Sequence, residues 1–361
     1  MDPLRTSILC IAYAALTNAQ ASISLEPPTA AGTAGNVSQI ISPSFAGLGI
    51  EPSNLLSFTG TTHTNQLSIN LMNNLAGYTG AAPHLRIGGN TADNMLWDAS
   101  LTGFEYMTNP NPVGVGQIPS DMYFFGPGYL QALDRFPKNT PVTFGLNMAY
   151  QQSDYLYQIV QSAGAVLNYT NNVNIFSFEI GNEPDLYLQN GFRNGTWNNY
   201  VYGQQWADRA DAVYQDVLKP QGISTDFFEG ACTASTIGTP FEIVQLLRTE
   251  MVAAVNGTSS TVDTYLSGWN QHDYFYYIGV SGYNLVLDFL MDLSQTPTQF
   301  AAWATQQQQA QTSGKNYYLR EMASVGPVGE AGISDVFGEF DDMKMRRSNR
   351  LTTPQVQLCG H

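Results

Sequence analysis

Two acids of this 361-residue chain are placed as a working pair would be. Glu183 sits in "FEIGNEPDLY", and Glu321 closes "KNYYLRE". Cleaving a glycosidic bond needs two carboxyls with different duties. One gives a proton to the leaving oxygen, while the other, ionised, attacks the sugar or activates water. Their surroundings must drive their proton affinities apart. His272 and Tyr274 alternate onto one face of "WNQHDYF" and could hold a carboxylate in its charged form. Arg86, in "HLRIG", adds positive charge. Read alone, Glu321 is equally a surface acid beside Arg320.

Glu179 lies four residues before Glu183. A buried carboxylate is costly unless it is paired or hydrogen-bonded. With period-2 alternation, Ser177, Glu179 and Gly181 share one face, and Phe176, Phe178 and Ile180 take the other. Glu179 then points inward, and a structural ion pair with Arg86 is the expectation. Pro184 ends the strand, because proline has no N–H for a ladder. Glu183 therefore lies beyond the strand, at a mouth. If Glu321 faces inward, strict alternation puts Tyr317 and Leu319 on its side.

Seven short apolar or β-branched runs end in polar, chemically capable residues. They are "FAGLGIEPSN", "HLRIGGN", "PVTFGLNM", "NIFSFEIGNEPD", "DFFEGACT", "YLSGWNQHDYF" and "NYYLREM". Stretches with helical spacing separate them, such as "YGQQWADRADAVYQDVL". The repeat predicts a (β/α)8 TIM-type barrel, whose chemistry gathers at the carboxyl ends of its strands. A doubly wound open sheet is the competing α/β architecture, but Gly47-x-Gly49 is followed by Pro52 rather than by a third glycine and a helix. After Gly338 the pattern stops in a polar, abruptly basic tail, so the barrel reads as truncated before an eighth strand. The domains expected are a signal peptide at 1–21, an N-terminal segment at 22–44, an incomplete barrel at 45–338 and an aberrant tail at 339–361.

Other chemistries find no support. There is no Gly-x-Ser-x-Gly elbow, phosphate-cradling Gly-x-x-x-x-Gly-Lys loop or Cys-x-x-Cys pair. The four histidines form no metal-ligand spacing, and neither a metal nor any other cofactor is expected. The formal net charge of −15 argues against nucleic acid and anionic membrane surfaces as partners. Apolar residues make up 43% of the chain, enough for a full core. Trp97 and Trp269, near strand ends, either stack on sugar rings or belong to the core.

The first residues carry one arginine, the apolar run Ile8 to Leu16, and then Ala19-Gln20-Ala21. That order reads as a secretory signal, since the run is shorter than the roughly 20 residues of a membrane span. Sequons at Asn36, Asn168, Asn194 and Asn256 agree with a secreted glycoprotein. The sequence leaves the oligomeric state open.

Taken together, "LRIGGNTADN", "FEIGNEPDLY", "GLGIEPSN" and the Tyr-Tyr-Leu-x-Glu strand resemble glycoside hydrolase family 79. That family holds β-glucuronidases and heparanases of a clan of retaining (β/α)8 glycosidases. The resemblance runs from about Phe45 to Gly338. It implies Glu183 as acid/base, Glu321 as nucleophile and Asn182 as a contact to the sugar 2-hydroxyl. His272 and Tyr274 would orient the nucleophile. Arg86 and Asn90 match the second strand end, Asn147 the third, and Glu51 a first-strand acid that binds sugar hydroxyls. The substrate implied is a carbohydrate bearing β-linked glucuronic acid or its 4-O-methyl form. A retaining β-glucosidase or β-xylosidase of the same clan, or a catalytically impaired sugar-binding remnant of a truncated glycosidase, are the alternatives. Relatives continue into an eighth strand and a C-terminal β-sandwich, where some contacts to the uronate carboxylate are expected. Here Glu321 is followed by Met322-Ala323-Ser324, where many relatives have Thr-Asn-Ser.

Overall fold

A computed structural model describes residues 41–234, 239–255, 264–277, 286–326 (apart from 291, 293 and 295), 331–333 and 356–360. The signal, the N-terminal segment and most of the tail lie outside these residues, as do the sequons at Asn36 and Asn256. Asn168 and Asn194 are exposed.

All seven expected strands form. They are β1 (Ala46–Ile50), β2 (Leu85–Ile87), β6 (Pro141–Leu146), β7 (Asn174–Ile180), β8 (Phe228–Thr233), β9 (Leu266–Tyr277) and β10 (Asn316–Gly326). Each pairs in parallel with the next. Three short strands interrupt the rhythm between β2 and β6. β3 (Met95–Trp97), β4 (Tyr106–Thr108) and β5 (Tyr123–Phe125) make a separate small sheet in the order β3-β5-β4.

One expectation changes. The sequence pattern gives no strand in the tail, yet β11 (Val356–Gly360) lies parallel to both β1 and β10. Leu358 is registered against Ala46 on one side and Leu319 on the other, so the barrel closes. The physical reason is the edge. Without β11, both β1 and β10 would present rows of unpaired N–H and C=O groups. β11 is registered against Ala46, Gly47 and Leu48 of β1 and against Tyr317, Tyr318 and Leu319 of β10.

The outward faces of the strands and the surrounding helices make the core. Leu85, Ile87, Val142, Phe144, Phe178, Ile180, Phe228 and Leu266 are buried against helical residues such as Leu133, Val166, Trp206, Ala210 and Val213. Helix Asn199–Val213 starts cleanly because the Asn198 side chain accepts from the N–H groups of Tyr200 and Val201. Trp269 belongs to this outer layer: it is fully buried and its Nε1 donates to Ser313 Oγ at 2.9 Å. Trp97 packs on Phe125 and Tyr169. Of the two roles open to these tryptophans, the core one holds.

The inner face is polar, and β-bulges decide what it contains. Thr143 opposes Ser177 while Val142 opposes Ile175, which leaves Phe176 as an extra residue on β7. Phe176 therefore departs from the expected outward face and meets His84 and Tyr318 at ring distances of 5.1 and 6.4 Å. On β10, Leu319 opposes Gln271 and Glu321 opposes His272, so Arg320 is extra. Tyr317 and Leu319 point outward, Tyr317 onto Trp303, whereas Glu321 points inward. Strict alternation put all three on one side, and the bulge separates them.

Phe178 belongs to the outer apolar layer, fully buried beside Phe227 and Phe228. Phe178→Ala should cost about 3–5 kcal/mol, read as a lower urea midpoint by circular dichroism; an unchanged midpoint would show that this ring is not part of the cooperative core.

Candidate active site

Arg86, on β2, has no solvent exposure and stands at the centre of the upper lumen. Its Nε donates to Glu179 Oε2 at 3.0 Å and its Nη2 to Glu179 Oε1 at 2.5 Å, a two-pronged pair. Glu179 also accepts from Asn270 Nδ2 at 2.5 Å. The expected structural role of Glu179 is therefore its observed one. Arg86 has donors left over: Nη1 binds Glu321 Oε2, and Nη2 reaches Asn182 Oδ1 at 2.7 Å. One cation thus serves two carboxylates from strands three places apart in the barrel. Burial alone would weaken its charge, but Glu179 and Glu321 outweigh that and raise its proton affinity further.

Glu321 is held from a second direction by the Tyr274 hydroxyl, which donates to Oε1 at 2.5 Å. Burial first and Glu321 second push the Tyr274 phenol well above its ordinary range, so it stays a donor. Glu183 comes from the far side. Its backbone is left-handed (φ 51°, ψ 56°), one residue beyond Asn182 and two beyond Gly181 at φ 81°. A non-glycine residue in that region stores strain of about 1–3 kcal/mol. The Glu183 N–H donates to Cys232 O at 2.8 Å, and Pro184 opens the next turn. The strand end is thereby bent so that Glu183 faces the lumen axis.

His272 lies between the two acids. Its Nδ1 is 3.0 Å from Glu183 Oε1 and 3.6 Å from Glu321 Oε2. An Nδ1–H donates to Glu183, the nearer of the two acids. Arg86 Nη2 stands 3.3 Å from Nε2, but its two hydrogens already go to Glu179 Oε1 and Asn182 Oδ1. Burial opposes a charge on His272, and the facing carboxylates outweigh it and raise its pKa. Donor atoms of Glu183, His272 and Glu321 all lie within 4.8 Å of one another. Such a trio could ligate a cation, but Arg86 already supplies the positive charge there.

Glu51, at the end of β1, accepts from the Thr91 N–H at 2.7 Å. Gly89 makes room for it, since a Cβ there would fall 2.1 Å from Glu51 Oε2. Burial raises the Glu51 pKa, with the nearby Glu321 charge adding to the effect. Asn90 is exposed at the rim and accepts from Asn182 Nδ2 at 3.1 Å. The structure thus brings together Glu51, Arg86, Asn90, Asn182, Glu183, His272, Tyr274 and Glu321. Asn147 does not join them. Its amide donates to Met95 O and Ser120 O, and its oxygen accepts from Tyr150 N–H. Those bonds pin the small sheet to the end of β6 and use both amide hydrogens.

Sequence reasoning missed Asp93. It is buried and accepts four hydrogen bonds: from the N–H groups of Met148, Ala149 and Asn182, and from the Tyr187 hydroxyl at 2.6 Å. It ties the ends of β6 and β7 together directly behind Asn182-Glu183. No periodicity marks it, since it sits in a 3₁₀ turn after "RIGG". Asn270 was also passed over, although alternation with His272 and Tyr274 puts it on the inner face of β9.

The chain is 28% identical over 172 residues to a β-glucuronidase of Neurospora crassa, a match covering 46% of this chain and 30% of that protein. It is 28% identical over 185 residues to a β-glucuronidase of Aspergillus niger, covering 48% of this chain and 32% of that one. The matched region is about a third of the length of these relatives. A solved 4-O-α-L-rhamnosyl-β-D-glucuronidase of Fusarium oxysporum 12S superposes with a TM-score of 0.69 at 21% identity, over 93% of this chain and 65% of that one. At that identity the likeness carries the barrel fold. No protein-family model matches the chain.

Two outcomes test this geometry. Because Glu51 binds its proton more tightly folded than unfolded, its contribution to stability is full below its unfolded pKa and is lost as pH rises through the folded value. Glu51→Gln keeps an oxygen for Thr91 and lacks that loss. Its urea midpoint relative to the parent should therefore rise as pH climbs above the ordinary glutamate range of about 4.3, and a constant difference would contradict the assignment. Asp93→Asn sets an amide donor against donors and should destabilise by about 1–3 kcal/mol in the same measurement; an unchanged midpoint would deny the clamp.

Proposed function

We propose that this chain is the barrel of a secreted, retaining glycoside hydrolase that releases β-linked glucuronic acid, or its 4-O-methyl form, from glycans or glycoconjugates. The observation that carries the reading is the facing of Glu183 and Glu321, from β7 and β10, with carboxylate oxygens within 4.8 Å. Retaining glycosidases keep their two carboxyls about 5–5.5 Å apart, whereas a wider gap leaves space for an attacking water. The likeness to fungal β-glucuronidases supports the sugar, and the family 79 motifs agree with it.

Each residue has a duty that follows from its contacts. Arg86 and Tyr274 aim Glu321 and keep it an anion. Glu321 attacks the anomeric carbon as the glycosidic C–O bond breaks, and Glu183 gives its proton to the departing oxygen. His272 Nδ1–H occupies Glu183 Oε1, which leaves Oε2 to carry that proton. In the second half, water attacks the anomeric carbon, its C1–O bond to Glu321 breaks to return that carboxylate, and Glu183 takes the water's proton. The same His272 contact then steadies Glu183 as it becomes an anion and as it regains the proton. Asn182 turns its Nδ2 from Asn90 to the sugar 2-hydroxyl, an exchange of one neutral hydrogen bond for another.

Secretion is supported by the apolar leader and by the sequons, of which Asn168 and Asn194 are exposed. Turnover of an aryl β-glucuronide against the matching β-glucoside tests the activity. The glucuronide should be preferred; equal cleavage of both, or none, would count against the reading. Glu183→Gln should slow a poor leaving group by about 10²–10⁴-fold and an activated one far less. Glu321→Ala should bring both to background.

A further inference from the structure

Below the site, the lumen holds a second buried ion pair that the chemistry above does not use. Arg320 Nε donates to Glu229 Oε2 at 2.9 Å and Nη2 to Glu229 Oε1 at 2.5 Å, with both side chains fully buried. Glu229 is itself fixed by the hydroxyls of Ser177 at 2.7 Å and Thr143 at 3.1 Å. The Arg320 guanidinium lies 4.0 Å above the Tyr318 ring. Strands β6, β7, β8 and β10 therefore meet at this one fork.

Neighbouring residues of a regular strand face opposite ways. With Arg320 in the lumen, Glu321 would point out into the apolar layer held by Leu319 and Met322. It does not, because Arg320 is the extra residue of the bulge on β10. Arg320 reaches down to Glu229, and Glu321 then reaches up to Arg86 and Tyr274. A bulge loses ladder pairing at its extra residue, so something must hold that residue in place. Here the fork does.

We propose that the Arg320–Glu229 pair positions Glu321, by locking the bulge that turns this carboxylate into the lumen. The pair touches no substrate and acts through the backbone of β10. The inference rests on the reading of Glu321 as the nucleophile.

Removing one partner alone would leave a buried charge and confuse folding with function. The test therefore uses the double variant Arg320→Met/Glu229→Gln of the full chain, with its melt followed by circular dichroism. The readout is labelling of Glu321 by 2-deoxy-2-fluoro-β-glucuronosyl fluoride. The C1–F bond breaks as fluoride leaves, a C1–O ester to Glu321 forms, and mass spectrometry counts the modified fraction. The folded double variant should label about 10- to 100-fold more slowly than the parent, with kcat for an aryl glucuronide falling in step and KM little changed. Labelling at the parental rate would overturn the inference and leave the glycosidase reading intact. A parent that is never labelled at Glu321 would overturn the reading and the inference with it. If the double variant shows no cooperative melt, Arg320→Lys decides, because lysine keeps the charge but not the fork. It should label about threefold more slowly than the parent; a rate equal to the parent would overturn the inference.

Discussion

The upper half of this barrel depends on one guanidinium. Arg86 is removed from water, a step that costs several kcal/mol for a lone ion. Two carboxylates and an amide oxygen surround it, and that arrangement offsets the cost. Because the guanidinium is planar and forked, it also fixes directions. Glu179 takes one edge through two parallel bonds, and Glu321 and Asn182 take what remains. A lysine could neutralise the same charges without setting those angles. The direction of Glu321 is therefore set by a group that does no chemistry, while His272 holds Glu183 opposite it.

The barrel separates stability from reactivity by face. Apolar side chains on the outside of the strands pack against the helices and carry the hydrophobic stabilisation. The lumen is polar in layers. Thr143, Ser177, Glu229 and Arg320 fill the lower level, and Arg86, Glu179 and Asn270 the one above it. The acids lie at the mouth. Bulges on β7 and β10 set which residues enter each level, so irregularity in the strands is where the site is built.

Much of this could be read from the residues. Period-2 alternation placed Glu179 and Arg86 inward, and it set His272 and Tyr274 on one face. Proline at 184 marked the end of β7 and left Glu183 at the mouth. What alternation could not give was the bulges. They depend on ladder register between strands distant in sequence, so Phe176 departs from its expected face and Glu321 parts from Tyr317 and Leu319. Asn147 illustrates a different limit. It stands at the correct strand end, but an inserted sheet consumes its hydrogen bonds, and no local pattern announces that sheet's contacts. Asp93 escaped notice for the same reason: its partners lie 55 to 94 residues away. The closing strand β11 is legible only as an edge that requires a partner.

The spacing of the two acids makes a stereochemical commitment, and proton NMR of the first product released from an aryl β-glucuronide tests it directly. Attack by Glu321 followed by water delivers the β-anomer first, with the α-anomer growing in only by mutarotation. An α-anomer released first would mean that water, not Glu321, meets the sugar, and the facing carboxylates would not be doing what their geometry implies.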